Sequence, residues 1–129
     1  NADETVALTD ITPDTPERVR AAADQFFEWG ADAVLLKGGH VETEDRTVVD
    51  SLVTPDETTT YTNPRIDSEA THGSGCTLSS AIAARPARGD DLQSAVETAI
   101  EFTHAALTEP AVVGRGPGSV NHLVEFPVE

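Results

Sequence analysis

"TPERVRAAADQFFEWGADAVLLKGGH", residues 15–40, decides the fold class of this chain. Thr15 can cap a helix, Pro16 suits its first position and Gly30 can end it, so the stretch predicts a helix over residues 15–29. "ADAVLL" follows directly as a short, wholly apolar strand, of the kind that is buried on both faces of a parallel sheet. A helix followed closely by a buried strand is typical of an α/β domain.

The sequence after this stretch predicts a β-hairpin and then a short helix. "TVVDSLV" and "TTTYTN" are rich in β-forming residues and flank a turn at Pro55 and Asp56. Residues 75–84 carry the small side chains of a slim helix that can pack closely against a sheet.

The last third of the chain predicts a long amphipathic helix and a loop. Asp90 is the predicted N-cap of this helix, with Gln93 three residues later as its capping-box partner. One face of the helix is lined by Leu92, Ala95, Val96, Ala99, Thr103 and Ala106. "VVGRGPGSVNH" predicts a loop, "LVEFPV" a closing edge strand, and the absence of repeats or linkers a single compact unit.

Composition excludes several classes of partner. The net charge of -15, from 23 acidic and 8 basic residues, disfavours nucleic acid, and no apolar run is long enough to span a membrane. The single cysteine excludes an internal disulfide and favours an intracellular, cytoplasmic setting. Seven arginines stand against one lysine, Lys37, and this acidic, lysine-poor surface is typical of a halophilic cytoplasm, where salt screens the charge; a merely acidic mesophilic protein is the alternative.

"THGSGCTLSSAIAA", residues 71–84, places the only cysteine behind two glycines. Gly73 and Gly75 let the backbone turn tightly and present N–H groups at a helix start, which predicts an anion site. Cys76 falls in the first turn, where the same field favours the thiolate. Such a thiolate could be a nucleophile for acyl transfer or a base in phosphoryl transfer, and a plain helix start that packs closely explains the glycines equally well.

"LLKGGH", residues 35–40, predicts a second anion contact. Lys37, Gly38 and Gly39 follow a strand, and open α/β sheets bind ligands at the carboxyl ends of their strands. A lysine there is a point charge for a nucleotide phosphate, although two glycines after a strand are commonly just a turn. The chain contains no P-loop of the G-x-x-x-x-G-K-[ST] form.

Polar residues outside these two turns give weaker indications. Asn1 and Glu4 are three residues apart, so on a helical turn their side chains share one side and could hold a hydrated Mg²⁺; an ordinary polar terminus is the alternative. The four histidines show no zinc-ligand spacing. We expect His40 and His72 to border the glycine turns and His104 to be structural.

Four segments, taken in order, resemble one family. Asn-x-x-Glu at the start, "VLLKGGH", "THGSGCTLSSAIAA" and "GRGPGSVNH" closely resemble the hydroxymethylpyrimidine and phosphomethylpyrimidine kinases of thiamine biosynthesis, within the ribokinase-like superfamily. The chain departs from the family pattern at Ser74, where threonine is usual, and at Gly118 and Ser119, which are inserted in the last motif. The resemblance implies the C-terminal half of a ribokinase-like three-layer α/β/α fold.

The resemblance also implies a role for each matching residue. Gly73, Ser74 and Gly75 would form an anion hole for the transferred phosphoryl group, and Cys76 would be the general base. Lys37, with Gly38 and Gly39, would contact ATP phosphates. The remaining implied residues are Asn121 near the adenine, and Asn1 and Glu4 at Mg²⁺.

The implied reaction is ATP-dependent phosphorylation of hydroxymethylpyrimidine and its monophosphate. Residues 1–129 would be the nucleotide-binding and catalytic half without the substrate half, so we expect little activity from them alone. Pyridoxine (vitamin B6) kinase is the alternative within the enzymes, and a non-catalytic nucleotide-binding module is the alternative outside them. The expected partners are ATP, a small pyrimidine and further copies of the chain in a homo-oligomer.

Overall fold

The computed structural model describes residues 1–38, 44–69, 71–111, 113–116 and 118–127. They form two compact units, Asn1–Arg65 and Ile66–Glu129, where the sequence predicted a single unit. The division follows the packing, because the first helix contacts the second, which contacts the sheet, whereas the last two helices contact each other. The α/β class is as predicted.

The first unit begins with two helices, α1 (Ala2–Thr9) and α2 (Pro16–Glu28). Helix α2 lies within one residue of its predicted bounds at each end, and Thr15 is its N-cap, with the hydroxyl oxygen accepting from the Arg18 N–H at 3.2 Å. At its other end, the N–H groups of Gly30 and Ala31 bond back to the carbonyls of Phe27 and Phe26, which is the Schellman arrangement. Gly30 has a φ of 98°, the left-handed conformation that favours glycine at this position.

A three-stranded sheet completes the first unit. Its strands are β1 (Val34–Leu36), β2 (Thr47–Val53) and β3 (Thr58–Pro64), in the order β1-β2-β3 with both pairs antiparallel. The predicted hairpin is confirmed, because the N–H of Thr54 bonds the carbonyl of Glu57 across the turn. The predicted parallel pairing of the first strand is wrong within the described residues. Only ten residues separate β1 from β2, and a parallel crossover needs a dozen or more.

The second unit is helical. Helix α3 (Ser74–Ala84) packs against α4 (Leu92–Thr108), and a short 3₁₀ helix (Pro86–Arg88) joins them. Small side chains on α4 allow a close approach to α3 and leave a core of modest size. The buried apolar residues of this unit are Leu78, Ala95, Val96, Ala99, Ile100, Ala106 and Val120.

The start of α4 differs from the prediction by one residue. Asp91, not Asp90, is the N-cap, and its carboxylate accepts from the N–H and the hydroxyl of Ser94 at 3.0 and 2.8 Å. Asp90 instead forms an ion pair with Arg85. Leu92, predicted on the buried face, is 39% exposed because it lies at the free end of the helix.

The predicted closing strand "LVEFPV" is also wrong over residues 123–127. A turn forms there instead, because the side-chain oxygen of Asn121 accepts from the Leu123 N–H and the Val124 N–H bonds the Asn121 carbonyl. Phe126 then packs edge-on against Phe102, with ring centroids 5.6 Å apart. The segment is held by a side chain and a turn rather than by a ladder of strand hydrogen bonds. Among the described helices, none is long and apolar enough to cross a bilayer.

Candidate active site

The glycine turn before α3 forms the predicted helix start. Gly73 is the N-cap residue, with a φ of 84°, and Ser74, Gly75 and Cys76 make the first turn. Any other residue at Gly73 would adopt this left-handed backbone at a cost. Cys76 is exposed, so its thiol is accessible from solvent.

No side chain caps α3, and this leaves backbone donors at its start. Ser74 donates its N–H to the Thr71 carbonyl at 3.1 Å, and the Thr77 N–H already bonds the Gly73 carbonyl at 2.9 Å. The N–H groups of Gly75 and Cys76 lie between these two, at positions of a helix that have no acceptor within the helix itself. Together with the helix dipole they favour an anion.

An open pocket of about 420 Å³ lies beside this helix start. Cys76 and Thr77 form one side of it, and Ala81 continues that side along α3. Phe102 from α4 and His122 from the last loop contribute the other walls. The pocket therefore offers an apolar surface and an aromatic ring next to the thiol and the N–H donors, as a small organic ligand requires.

Hydrogen bonds join the pocket walls. The Thr77 hydroxyl donates its hydrogen to the Gly73 carbonyl at 2.9 Å, so its oxygen accepts from His122 Nε2–H at 2.8 Å. His72 and Ser119 form a parallel β-bridge, which lays the last loop beside the glycine turn. Asn121, predicted near the adenine, lies in the same loop, and its N–H bonds the Ala106 carbonyl of α4. The structure thus brings the cysteine turn and the last loop together.

Five of the residues that line the pocket were not singled out in the sequence as site residues: Thr77, Ser80, Ala81, Phe102 and His122. Thr77, Phe102 and His122 line the pocket, yet a threonine and a phenylalanine inside helices have the pattern of ordinary packing residues. A signal existed for His122 alone, because it directly follows Asn121 in a motif already assigned to the nucleotide.

The lysine turn belongs to the first unit. Lys37 and Gly38 follow β1, and the N–H of Gly38 bonds the Oδ1 of Asp50 on β2 at 2.9 Å. A Cβ at Gly38 would lie 2.0 Å from the carbonyl oxygen of Val49, so only glycine fits there. Gly39 and His40, also predicted at this turn, lie outside the described residues.

Asp50 is a buried carboxylate that the sequence analysis missed. It is 9% exposed in a strand that is otherwise largely apolar. Burial raises the pKa of its carboxyl above the ordinary 3.8, and the Gly38 N–H, the Lys37 charge and the Asn1 amino group oppose that rise. The Gly38 N–H and the neighbouring Lys37 ammonium thus both favour the charged form of Asp50.

Asn1 and Glu4 form a capping box at the start of α1. The Asn1 side chain accepts from the Glu4 N–H at 2.9 Å, and the Glu4 carboxylate pairs with the Asn1 amino group at 2.5 Å. The Glu4 side chain is 69% exposed. Among the described residues, no three histidine, cysteine, aspartate or glutamate side chains are grouped as a protein-only metal cage would need.

The predicted site residues are therefore divided between the two units. Asn1, Glu4, Lys37 and Gly38 belong to the first, in which Asp50 bonds the N–H of Gly38. The second unit holds the other group, which comprises Gly73, Ser74, Gly75, Cys76 and Asn121.

Comparison with known proteins identifies the family of this chain. A family model described as phosphomethylpyrimidine kinase matches residues 1–121. The chain belongs to that family. A hydroxymethylpyrimidine/phosphomethylpyrimidine kinase of Bacillus subtilis is 35% identical over 123 residues, which are 95% of this chain and 45% of that protein. The thiamine biosynthesis bifunctional protein ThiED of Geobacter sulfurreducens is 40% identical over 96% of this chain and 25% of its own length.

Solved structures show the same fold and the same extent of coverage. A Bacillus subtilis pyridoxal kinase in an ADP complex matches with a TM-score of 0.83 and 29% identity, over 96% of this chain and 48% of that one. The Staphylococcus aureus pyridoxal kinase in complex with AMP-PCP gives a TM-score of 0.86 and 26% identity, over 100% and 47%. The chain thus has the fold of half of a ribokinase-like enzyme, and it spans about half the length of the curated single-function relatives it matches.

Proposed function

We propose that these residues are the nucleotide-binding and catalytic half of an ATP-dependent kinase of thiamine biosynthesis. The substrates would be hydroxymethylpyrimidine and its monophosphate, as the names of the family and of its relatives indicate. The observation that carries the proposal is the uncapped start of α3, with the exposed Cys76 at the mouth of a pocket. Backbone donors beside a base are what phosphoryl transfer requires, because its catalysis is mainly positioning and charge neutralisation.

The proposed step moves one proton and one phosphoryl group. The Cys76 thiolate takes the proton of the substrate hydroxyl, and the freed oxygen forms a bond to the γ-phosphorus of ATP. The bond from that phosphorus to the β,γ-bridging oxygen breaks, and ADP leaves with the electron pair. The N–H groups of Gly75 and Cys76 face the negative charge on the transferred group. Lys37 contacts the phosphates of ATP.

Mg²⁺ fits the donors of the first unit only in part. Magnesium binds proteins through one or two carboxylates and otherwise keeps water or phosphate ligands. Glu4 is an exposed carboxylate, so it would hold Mg²⁺ through its water ligands. The metal would supply charge neutralisation at the phosphates.

A pyridoxal kinase is the second candidate. The observation in its favour is that the solved structures named above are pyridoxal kinases, with nucleotide bound, at TM-scores of 0.83 and 0.86. The curated relatives favour the pyrimidine substrate, at 35 to 40% identity against 26 to 29%.

ADP release from the native full-length polypeptide that contains these residues tests the choice. Hydroxymethylpyrimidine, its monophosphate and pyridoxal are offered in parallel with ATP and Mg²⁺. We expect turnover of both pyrimidines to exceed turnover of pyridoxal, and the reverse order would assign a vitamin B6 kinase. ATP binding with no turnover of any of the three would support the non-catalytic binding module and overturn the kinase proposal.

The 129 residues alone are proposed to bind nucleotide and to turn over little, since the relatives are about twice as long. We further infer a cytoplasmic homo-oligomer. The charge of -15 and the single lysine support an adaptation to high salt. The midpoint of thermal unfolding should then rise as KCl is increased from 0.1 to several molar. A midpoint that falls or stays level would contradict the halophilic reading.

A further inference from the structure

Asp50 has no place in the proposed phosphoryl transfer, yet it lies where a carboxylate is costly. It sits in the middle of β2, opposite Tyr61 of β3, and shares a face of the strand with Leu52, which is 3% exposed. A buried carboxylate needs compensating partners, and an apolar residue of similar shape would pack there without that cost. The role of Asp50 must therefore depend on the hydrogen bonds that its carboxylate oxygens accept.

The group held by Asp50 is the backbone of the lysine turn. Its Oδ1 accepts from the N–H of Gly38, directly after Lys37, at 2.9 Å. The neighbouring strand residue fixes the same turn from a second point, because the Val49 carbonyl leaves no room for a Cβ at Gly38. Val49 and Asp50, two consecutive residues of β2, thus constrain the backbone at Gly38, directly after Lys37.

We propose that Asp50 is a positioning residue for nucleotide binding, which holds the Lys37–Gly38 turn so that the lysine ammonium is presented to the ATP phosphates. This inference rests on the proposed function, since it takes Lys37 to be a phosphate contact. The Gly38 N–H needs an acceptor oxygen at this position, and a side-chain amide can supply one as well as a carboxylate. The prediction is therefore that an uncharged acceptor of the same shape performs the task.

Two substitutions of nearly equal shape separate the acceptor from the charge. Asp50→Asn keeps an oxygen for the Gly38 N–H, and Asp50→Leu removes it. Asp56→Asn, in the exposed turn of the same hairpin, is the matched control for loss of one carboxylate. The affinity for MgATP is measured by titration calorimetry on the native full-length polypeptide, together with the KM of the phosphoryl acceptor.

Asp50→Asn and the control should bind MgATP within about twofold of the wild type, whereas Asp50→Leu should bind about tenfold more weakly, since the part-buried Gly38 N–H loses its acceptor and the lysine turn is released. The KM of the phosphoryl acceptor should not change in any variant, which a general loss of structure would not allow. Wild-type affinity in Asp50→Leu, or equal weakening in Asp50→Asn, would overturn the proposal.

Two further measurements keep the inference separate from the proposed function. Lys37→Ala should weaken MgATP binding. If it does not, the phosphate contact itself is wrong, whereas weakening in Lys37→Ala without weakening in Asp50→Leu refutes only the positioning role. If Asp50→Leu does not fold, the amide signal of Gly38 in ¹⁵N-labelled protein decides. It should shift on MgATP addition in both wild type and Asp50→Asn, and no shift in either would overturn the inference.

Discussion

Helices α3 and α4 pack against each other in the same unit, yet they begin in opposite ways. At the start of α4, the Asp91 carboxylate accepts from both the N–H and the hydroxyl of Ser94. At the start of α3, Gly73 occupies the same position with no side chain to offer, in a left-handed conformation. The Ser94 N–H of α4 is thus satisfied by the cap side chain, whereas the Gly75 and Cys76 N–H groups of α3 have no cap side chain to bond.

The same contrast appears in the charges. Helix α1 carries Asp3 and Glu4 in its first turn, α2 carries Glu17, and α4 has its Asp91 cap. Helix α3 has no carboxylate at its cap or in its first turn, in a chain with 23 acidic residues. Since carboxylates favour helix N-termini, their omission here leaves the dipole field available to a phosphoryl group.

The most severe test of this contrast is Cys76→Ala, which removes the proposed base and keeps the backbone donors. Loss of a general base costs about 10²- to 10⁴-fold in turnover, so we expect kcat to fall by that factor. The affinity for MgATP should stay within about twofold, because the thiol is not a phosphate ligand in this proposal. Steady-state kinetics and nucleotide titration on the full-length polypeptide measure both.

Ser79→Ala is the matched control one turn further along α3. Ser79 is exposed, and its hydroxyl bonds only backbone carbonyls of its own helix, those of Gly75 and Cys76. Its kcat should be unchanged. Normal turnover in Cys76→Ala would show that the cysteine is not the general base. The start of α3 would then contribute to ligand binding only.

A carboxylate introduced into the first turn of each helix should separate binding from stability. Ser74→Glu and Leu92→Glu occupy the same first position of α3 and α4. Both should raise the free energy of unfolding by about 0.3–1 kcal/mol, through the helix dipole. Only Ser74→Glu should weaken MgATP binding, by about tenfold or more, because like charges then face each other at the site. Equal affinities in the two variants would show that nucleotide phosphates do not approach α3.

Local signals were sufficient to predict much of the fold. Thr15, Pro16 and Gly30 bound α2 as expected, since a cap, a fixed φ and a left-handed stop act over a few residues. The turn at Pro55 and Asp56 likewise defined the hairpin. The glycine turn at Gly73 was placed correctly at a helix start, because its backbone needs no partner that is distant in the sequence.

The errors arose where a distant residue decides the outcome. Asp90 was chosen as the cap because local pattern cannot show that Arg85 already pairs with it. The partner of β1 depends on which strand reaches its edge, and apolar composition does not specify a direction. Asp50 was missed because its significance comes from Gly38, twelve residues away, and a single acid in a strand resembles a solvent-facing position.

Thr77→Val tests the hydrogen bonds that join the pocket walls. Thr77 and Thr103 are both buried threonines whose hydroxyls bond the carbonyl four residues earlier, but Thr77 alone of the two also accepts from His122. Thr77→Val should therefore lower the free energy of unfolding by about 1 kcal/mol more than Thr103→Val. It should also weaken nucleotide binding by a few-fold, through release of the last loop. Denaturant unfolding and titration calorimetry compare the two variants. Equal losses of unfolding free energy and of nucleotide affinity would mean that the bond from His122 does not hold the last loop in place.

The smallest expected effect concerns the cap of α4 and its dependence on pH. The Ser94 N–H, and then the Ser94 hydroxyl, hold the pKa of the Asp91 carboxyl below its ordinary 3.8. A lowered pKa in the folded state adds stability above pH 3.8, and that stability is lost as pH falls through the folded value. Asp91→Ala should therefore lower Tm by a few degrees at neutral pH and by progressively less below pH 4.

Glu97→Ala is the control for that experiment, because it removes an exposed carboxylate from the middle of the same helix. Its Tm should differ little from the wild type at either pH, and the affinity for MgATP should be unchanged in both variants. If Asp91→Ala instead lost nucleotide affinity, the start of α4 would take part in ligand binding. The two helix starts would then share one role, and the omission of a cap at α3 could no longer be assigned to the phosphoryl group alone.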